Sequence, residues 1–268
     1  MTRLNSSVNT WQLHRQAGNT LHLALQHSRN LPGICLKNAL IAEPPSGWIS
    51  YNSWKTAQPS APTAEAALPR RSMKANELPD RLEQHLSTHT PEVRVEWDAR
   101  LAAVLIPLFT ADDDWQVLFT RRTEHLDSHQ GQVSFPGGVV EAQDANPQET
   151  ALRETEEEIG IPAGKISILG TLDSLLTVTQ FQIVPSVGLI PWPMELKINR
   201  MEVARVFSVP LAWLADKNNL EVRKRQFPLS DRPIDVYYFK PFEGEVIWGA
   251  TARLTLNFLD QLKAAGII

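Results

Sequence analysis

The chain has 268 residues, 43% of them hydrophobic and 21% charged, with a formal net charge of −4. That length can bury a sizeable core, and the composition excludes a collagen-like rod, a coiled coil and a wholly disordered chain. The overall charge favours neither nucleic acid nor an acidic membrane as a partner, and the longest apolar run, 101–109, is broken by Pro107 and too short to span a bilayer.

Charge is unevenly spread. Residues 1–72 carry seven basic and two acidic side chains, a net of +5, while the remainder carries −9. Within this segment, 11–27 could form a short weak helix from Trp11, Leu13, Leu21, Leu23 and Leu25. The stretch 43–71 is rich in Pro, Ser and Ala and reads as linker or disorder. Three readings stay open: an extension outside the working protein, which then starts at Met73; a disordered tail with an unknown partner; or a transit peptide. The domain boundary is placed between residues 72 and 73. The single cysteine, Cys35, allows no internal disulfide and suggests a reducing compartment. The cytoplasm is expected, with the mitochondrion as the alternative if the segment is a transit peptide.

The rest of the chain alternates elements. Residues 76–88 predict a short amphipathic helix, and 100–109 a buried strand from its aliphatic, β-branched run. Asp112, Asp113 and Asp114 mark a turn into a second strand, 115–121, making a hairpin. A loop holding Gly131 leads to Phe135, Pro136, Gly137 and Gly138. Further strands are expected at 165–169, 181–189, 203–209 and 236–239, with a helix starting near Pro210 and another over 246–265. Mixed strands and helices with hairpins argue for an α/β or α+β domain, a mixed sheet sandwiched by helices.

The informative stretch is 135–161, FPGGVVEAQDANPQETALRETEEEIGI. Asn146 is a good N-cap, Pro147 suits the first helical position, and Glu149 stands where a capping box needs it. Gly160 can close the helix in the left-handed conformation, and Pro162 forbids its continuation. A helix over 147–159 follows. At about 100° per residue, Ala151, Leu152, Thr155 and Ile159 share a core-facing arc. Glu154, Glu157 and Glu158 share the neighbouring arc, and Arg153 lies one turn before Glu157. Carboxylates stacked this way repel by roughly 0.2–0.5 kcal/mol per pair, which a bound divalent cation relieves. Mg²⁺ favours such hard oxygen ligands and readily adds phosphate oxygens. Gly137 and Gly138 would let backbone approach a metal or phosphate closely.

This segment resembles the Nudix box, G-x5-E-x7-R-E-U-x-E-E-x-G-U, with U a bulky aliphatic residue. Arg153-Glu154, Glu157-Glu158 and Gly160-Ile161 match it. Thr155 replaces the first U, and Asp144 takes the place of the first acid if the loop carries one extra residue, with Gly138 then as the leading glycine. Both departures look like the coenzyme A pyrophosphatase branch of the superfamily. So does the upstream run Leu118-Phe119-Thr120-Arg121-Arg122-Thr123, followed at matching spacing by Gly131 and Phe135-Pro136-Gly137-Gly138. Asp127 stands where that branch often has Arg, and Thr123 where it has Ser. The run Ile247-Trp248-Gly249-Ala250-Thr251-Ala252-Arg253 is also similar. The likeness covers roughly residues 75–268.

The resemblance implies a Nudix α/β/α sandwich with a mixed β-sheet. The implied activity is Mg²⁺- or Mn²⁺-dependent hydrolysis of the diphosphate in coenzyme A or acyl-CoA, giving 3′,5′-ADP and (acyl-)4′-phosphopantetheine. It assigns Glu154, Glu157 and Glu158 as metal ligands, with Arg153 orienting them or only stabilising the helix. Gly138 could offer a carbonyl to metal or be a tight turn, and Gly137 and Gly138 line the substrate. Asp144 is expected to be structural. Glu202 is the candidate general base, against a structural ion pair. Arg122 is the candidate phosphate contact, against a surface salt bridge. The cluster Arg223-Lys224-Arg225 could meet a 3′-phosphate or be plain solvent-exposed charge, and His129 is read as structural. Trp248 and Phe258 are expected in the core. The expected partner is a small-molecule diphosphate, without nucleic acid or membrane, and a homodimer is left open. Two other functions compete: hydrolysis of ADP-ribose, NADH or a nucleoside triphosphate, and a Nudix-shaped binding module without turnover. Retention of Arg153, Glu154, Glu157 and Glu158 argues against the second.

Overall fold

The computed structural model describes residues 77–92, 98–124, 131–227 and 232–268. The expectations for 1–72, for the boundary at Met73 and for Cys35, Asp127 and His129 lie outside these residues.

The spine is β1 (Arg100–Ala111), whose aliphatic run can be buried on both faces because helices cover each side. Asp112 and Asp113 take positive φ, 50° and 63°, and turn the chain into β2 (Asp114–Arg122). Two such residues match the twist of a tight hairpin, and Asp tolerates the left-handed region better than most side chains. Two short strands follow, β3 (Val133–Ser134) on β2 and β4 (Gly137–Val139) on β1. Gly137 and Gly138, expected in a loop, therefore sit in a strand. A Cβ on Gly137, whose φ is 158°, would lie 2.3 Å from the Ala103 carbonyl oxygen.

After α2 (Pro147–Ile159) come β5 (Ser167–Thr171), β6 (Leu175–Leu176) and β7 (Phe181–Leu189). β7 runs parallel to β1 over nine residue pairs, while β5 and β6 pair with it antiparallel. β8 (Val203–Pro210) pairs antiparallel with β2 and leads into the short α3 (Leu211–Ala215). The result is one eight-stranded mixed sheet. β9 (Leu220–Arg225) and β10 (Ile234–Phe239) form a separate two-stranded sheet. The basic cluster 223–225, read as a 3′-phosphate contact or as plain exposed charge, lies at the end of β9, with Arg223 and Lys224 exposed and Arg225 half-buried. The last helix, α4 (Gly249–Ala264), starts three residues later than expected, with half-buried Trp248 at its N-cap and stacked on Tyr238.

Helices flank the main sheet on both faces. Alternation along β1 sends Ala103, Leu105 and Phe109 towards Ala151 and Ile159 of α2. Ile106 and Leu108 face the other way, joining Leu78, Leu82 and Leu86 of α1 (Glu77–Thr88) and Phe258, Leu259 and Leu262 of α4. Burying one such Leu, Ile or Phe contributes about 2 kcal/mol. This is the expected α/β sandwich with a mixed sheet. No helix among the described residues is long and apolar enough to cross a membrane.

Candidate active site

The helix carrying the acidic residues is specified by its ends. Asn146 Oδ1 accepts from the Glu149 N–H at 3.0 Å, and Pro147 fills the first turn. Glu149 reaches back one residue further than a standard capping box, its Oε2 accepting from the Ala145 N–H at 2.9 Å. Gly160, at φ 75°, closes the helix by donating to the Glu156 carbonyl.

The three glutamates do not share one environment. The Glu158 side chain is 3% exposed, Glu154 14% and Glu157 56%. The difference comes from what covers the helix. After β7 the chain returns across its C-terminal turn, where Lys197 N–H donates to the Ile159 carbonyl and Asn199 N–H to that of Glu158. The Glu158 side chain faces inward towards Arg122 and the Gly137 backbone, while Glu157 stays outside. Glu157 lines a groove on the outer face of α2 with Arg153, Glu156 and Ala163; Glu154 and Glu158 lie off this groove.

Arg153 organises the exposed side. Its Nη1 donates to Glu154 Oε1 at 3.0 Å and to Glu157 Oε2 at 3.1 Å. Its Nε and Nη2 donate to the two oxygens of Asp144, at 3.0 and 3.1 Å. Asp144 also accepts from Thr150 Oγ1 at 2.7 Å and from the Glu141 N–H at 2.9 Å. The Arg153 bonds, followed by these two, hold its carboxyl well below the usual carboxylate range, and Asp144 in turn holds the guanidinium above its own. Asp144 is the structural partner expected of it.

Two strands supply the opposite wall. Arg122, at the end of β2, places Nη1 3.7 Å from Glu158 Oε1. The β2–β8 register slips between Arg121, opposite Arg205, and Arg122, opposite Val203, which leaves Ala204 as the surplus residue of a bulge. Arg121 and Arg205 reach Glu245, at 4.0 and 3.2 Å, while Arg122 reaches Glu158. Beside the bulge, Thr123 donates from N–H to the Glu202 carbonyl at 2.9 Å and from Oγ1 to that of Met201 at 3.0 Å. Glu202 is brought in electrostatic range of both Glu154 and Glu158.

Burial, above all, pushes the Glu158 carboxyl up to about 8. Arg122 opposes this, Glu154 and Glu202 reinforce it, and a bond from the Gly137 backbone lowers it. Burial likewise raises Glu154; Arg153 opposes it, while Glu157 and Glu202 add to it. β4 packs against this cluster so closely that a Cβ on Gly138 would lie 2.2 Å from Glu154 Oε1.

Among the described residues, no three His, Cys, Asp or Glu side chains stand together as a complete metal cage. Glu154 and Glu157 are instead turned to Arg153. The donors nevertheless suit a hard divalent cation. Glu158 Oε2 is buried without a hydrogen-bond partner, and the acidic groups beside it, Glu154 and Glu202, offer hard carboxylate oxygens.

The structure thus brings Arg122, Gly137, Gly138, Arg153, Glu154, Glu158 and Glu202 together, with Glu157 at the rim. Asn199, which bonds both α2 and Glu202, went unnoticed in the sequence, where a lone Asn three residues before a Glu carries no signal. Glu156 is exposed, its Oε2 accepting from the Ala163 N–H.

The NUDIX domain family model matches residues 99–232. Among curated proteins, an uncharacterized Nudix hydrolase, NudL, from Yersinia enterocolitica is 38% identical over 171 residues, covering 60% of this chain and 81% of that protein. A protein of the same description from Photorhabdus laumondii is 37% identical over 176 residues, covering 65% and 90%. Among solved structures, a MutT/nudix family protein from Enterococcus faecalis aligns over 70% of each chain, at 16% identity and a TM-score of 0.41.

Proposed function

This chain belongs to the Nudix family, whose hydrolases generally use divalent metals such as Mg²⁺ or Mn²⁺, and from that membership we propose that it hydrolyses the diphosphate of coenzyme A or acyl-CoA to 3′,5′-ADP and (acyl-)4′-phosphopantetheine. The reaction class is carried by one observation: Glu154, Glu158 and Glu202 interact electrostatically beside Arg122 on the ledge of β4. The substrate is carried by the upstream run from Leu118 to Gly138, whose spacing resembles the coenzyme A branch.

Glu154, Glu157 and Glu158 would hold the cation, which supplies charge neutralisation at the diphosphate oxygens and a more acidic water. Arg153 keeps Glu154 and Glu157 in fixed rotamers from its anchor on Asp144. Arg122 donates to a diphosphate oxygen, and Gly137 and Gly138 line the substrate with β4 backbone, the missing side chain at Gly138 leaving room for the Glu154 carboxylate against it. Glu202 takes the proton as water oxygen attacks phosphorus and the bridging P–O bond breaks. Cys35 fits a cytoplasmic setting.

The test is purified protein with coenzyme A and Mg²⁺, products resolved by chromatography. Appearance of 3′,5′-ADP and 4′-phosphopantetheine is expected. Intact coenzyme A alongside turnover of ADP-ribose, NADH or a nucleoside triphosphate would reassign the substrate; no turnover of any would make the chain a binding module. E157Q should abolish hydrolysis and leave the fold intact, and unchanged turnover would refute the ligand assignment.

A further inference from the structure

Asn199 spans the gap between α2 and the proposed base. Its backbone N–H donates to the Glu158 carbonyl at 2.9 Å, and its own carbonyl accepts from Glu202 N–H at 3.1 Å and Val203 N–H at 2.8 Å. Its side chain works in both directions. Oδ1 accepts from the Met201 N–H at 3.1 Å, closing an Asx turn, and Nδ2 donates to Glu202 Oε1 at 3.0 Å. One residue therefore ties the carboxylate of Glu202 to the helical turn that carries Glu158.

We infer that Asn199 is a positioning residue that fixes the Glu202 carboxylate relative to Glu158 through its Nδ2 donor. This rests on the reading of Glu202 as the base. The turn alone needs only Oδ1, so a purely structural Asn199 has no use for the amide nitrogen. Positioning makes that nitrogen essential, because a carboxylate on two or three rotatable bonds needs a fixed donor to hold one rotamer. A displacement of about 1 Å in such a group can lower turnover a hundredfold.

The two roles separate by substitution in the full chain. N199D keeps an oxygen for the Met201 N–H but removes the donor to Glu202, and N199S, without adding charge, withdraws it, since a serine hydroxyl ends one bond short of the amide nitrogen that reaches Glu202 Oε1. Each is assayed with coenzyme A and, in parallel, ADP-ribose, in the presence of Mg²⁺, alone and combined with E202Q. N199D and N199S should lose about a hundredfold in kcat, with KM within about threefold of wild type and an unchanged melting temperature. In the E202Q background neither should lower kcat further, because the residue they act through is already disabled. Wild-type turnover in both variants, or losses that multiply in full with that of E202Q, would overturn the inference. E202Q with wild-type turnover would overturn the assignment of Glu202 itself, whatever the Asn199 variants do.

Discussion

Arg153 grips Asp144 with two parallel bonds, Nε to Oδ1 at 3.0 Å and Nη2 to Oδ2 at 3.1 Å. The fork crosses from the loop before α2 to its second turn, and the Asp144 side chain is only 4% exposed. A bidentate pair of this kind fixes direction as well as charge. It therefore decides where the third nitrogen of Arg153 meets Glu154 and Glu157.

D144N should break this fork. Removing one partner of a nearly sealed pair costs about 3 kcal/mol, measured by urea unfolding at pH 7. The pH dependence follows from the sign of the shift. Asp144 is depressed in the folded chain, so its contribution is complete above the unfolded value of about 3.9 and is lost as pH falls through the lower folded one. The gap between wild type and D144N should be constant from neutral pH down to about 5 and narrow below about 4. An unchanged gap at low pH would show that packing, and not the ion pair, carries the effect.

E158Q should raise stability while removing activity. Burial penalises the Glu158 charge, and one of its oxygens has no bonding partner. A neutral amide relieves that penalty, by about 1 kcal/mol, as functional groups held in unfavourable sites commonly do. A thermal melt without divalent cation, beside a turnover assay, checks both halves. A lower melting temperature would mean that Arg122 and Glu158 form a net stabilising pair.

G138A tests the ledge. The new methyl would overlap Glu154 Oε1 at 2.2 Å, and the flexible carboxylate is the part that yields. Hydrolysis should fall about a hundredfold through this displacement, while the melting temperature shifts little, since β4 keeps its pairing with β1. Wild-type turnover in G138A would show that the position of Glu154 is not critical.

Much of α2 was legible because its signals are local. Asn146, Pro147 and Gly160 act within a turn of where they stand, and the observed helix has the expected bounds. β4 was not, because its ladder forms with β1, some thirty residues away, and glycines do not read as strand. β9 was hidden by its charges, which leave no apolar alternation. Helical geometry placed Glu154, Glu157 and Glu158 on neighbouring positions. Which of them is buried depends on what packs against α2, with Arg122 of β2 and Gly137 of β4 facing Glu158, contacts that no periodicity encodes.

The domain boundary can be tested from both sides. A chain beginning at Met73 keeps all of α1, whose Leu78, Leu82 and Leu86 are buried against the sheet and α4. It should melt and turn over as the full chain does. A chain beginning at Arg100 loses those three side chains, each worth about 2 kcal/mol, and should fail to fold stably. Failure of the Met73 form instead would move the boundary towards the N-terminus.

The surplus Ala204 gives the segment joining Asn199 to β8 a parity. Residues opposite one another in an antiparallel pair project to the same side, so Arg121 and Arg205 share one side and Arg122 and Val203 the other. Pairing Ala204 with Arg122 would shift every residue before it by one and swing Glu202 away from Glu158, whereas deleting Ala204 would keep Val203 opposite Arg122 and Glu202 on its present side. Loss of the surplus residue is therefore compatible with the site, while drawing it into the ladder is not.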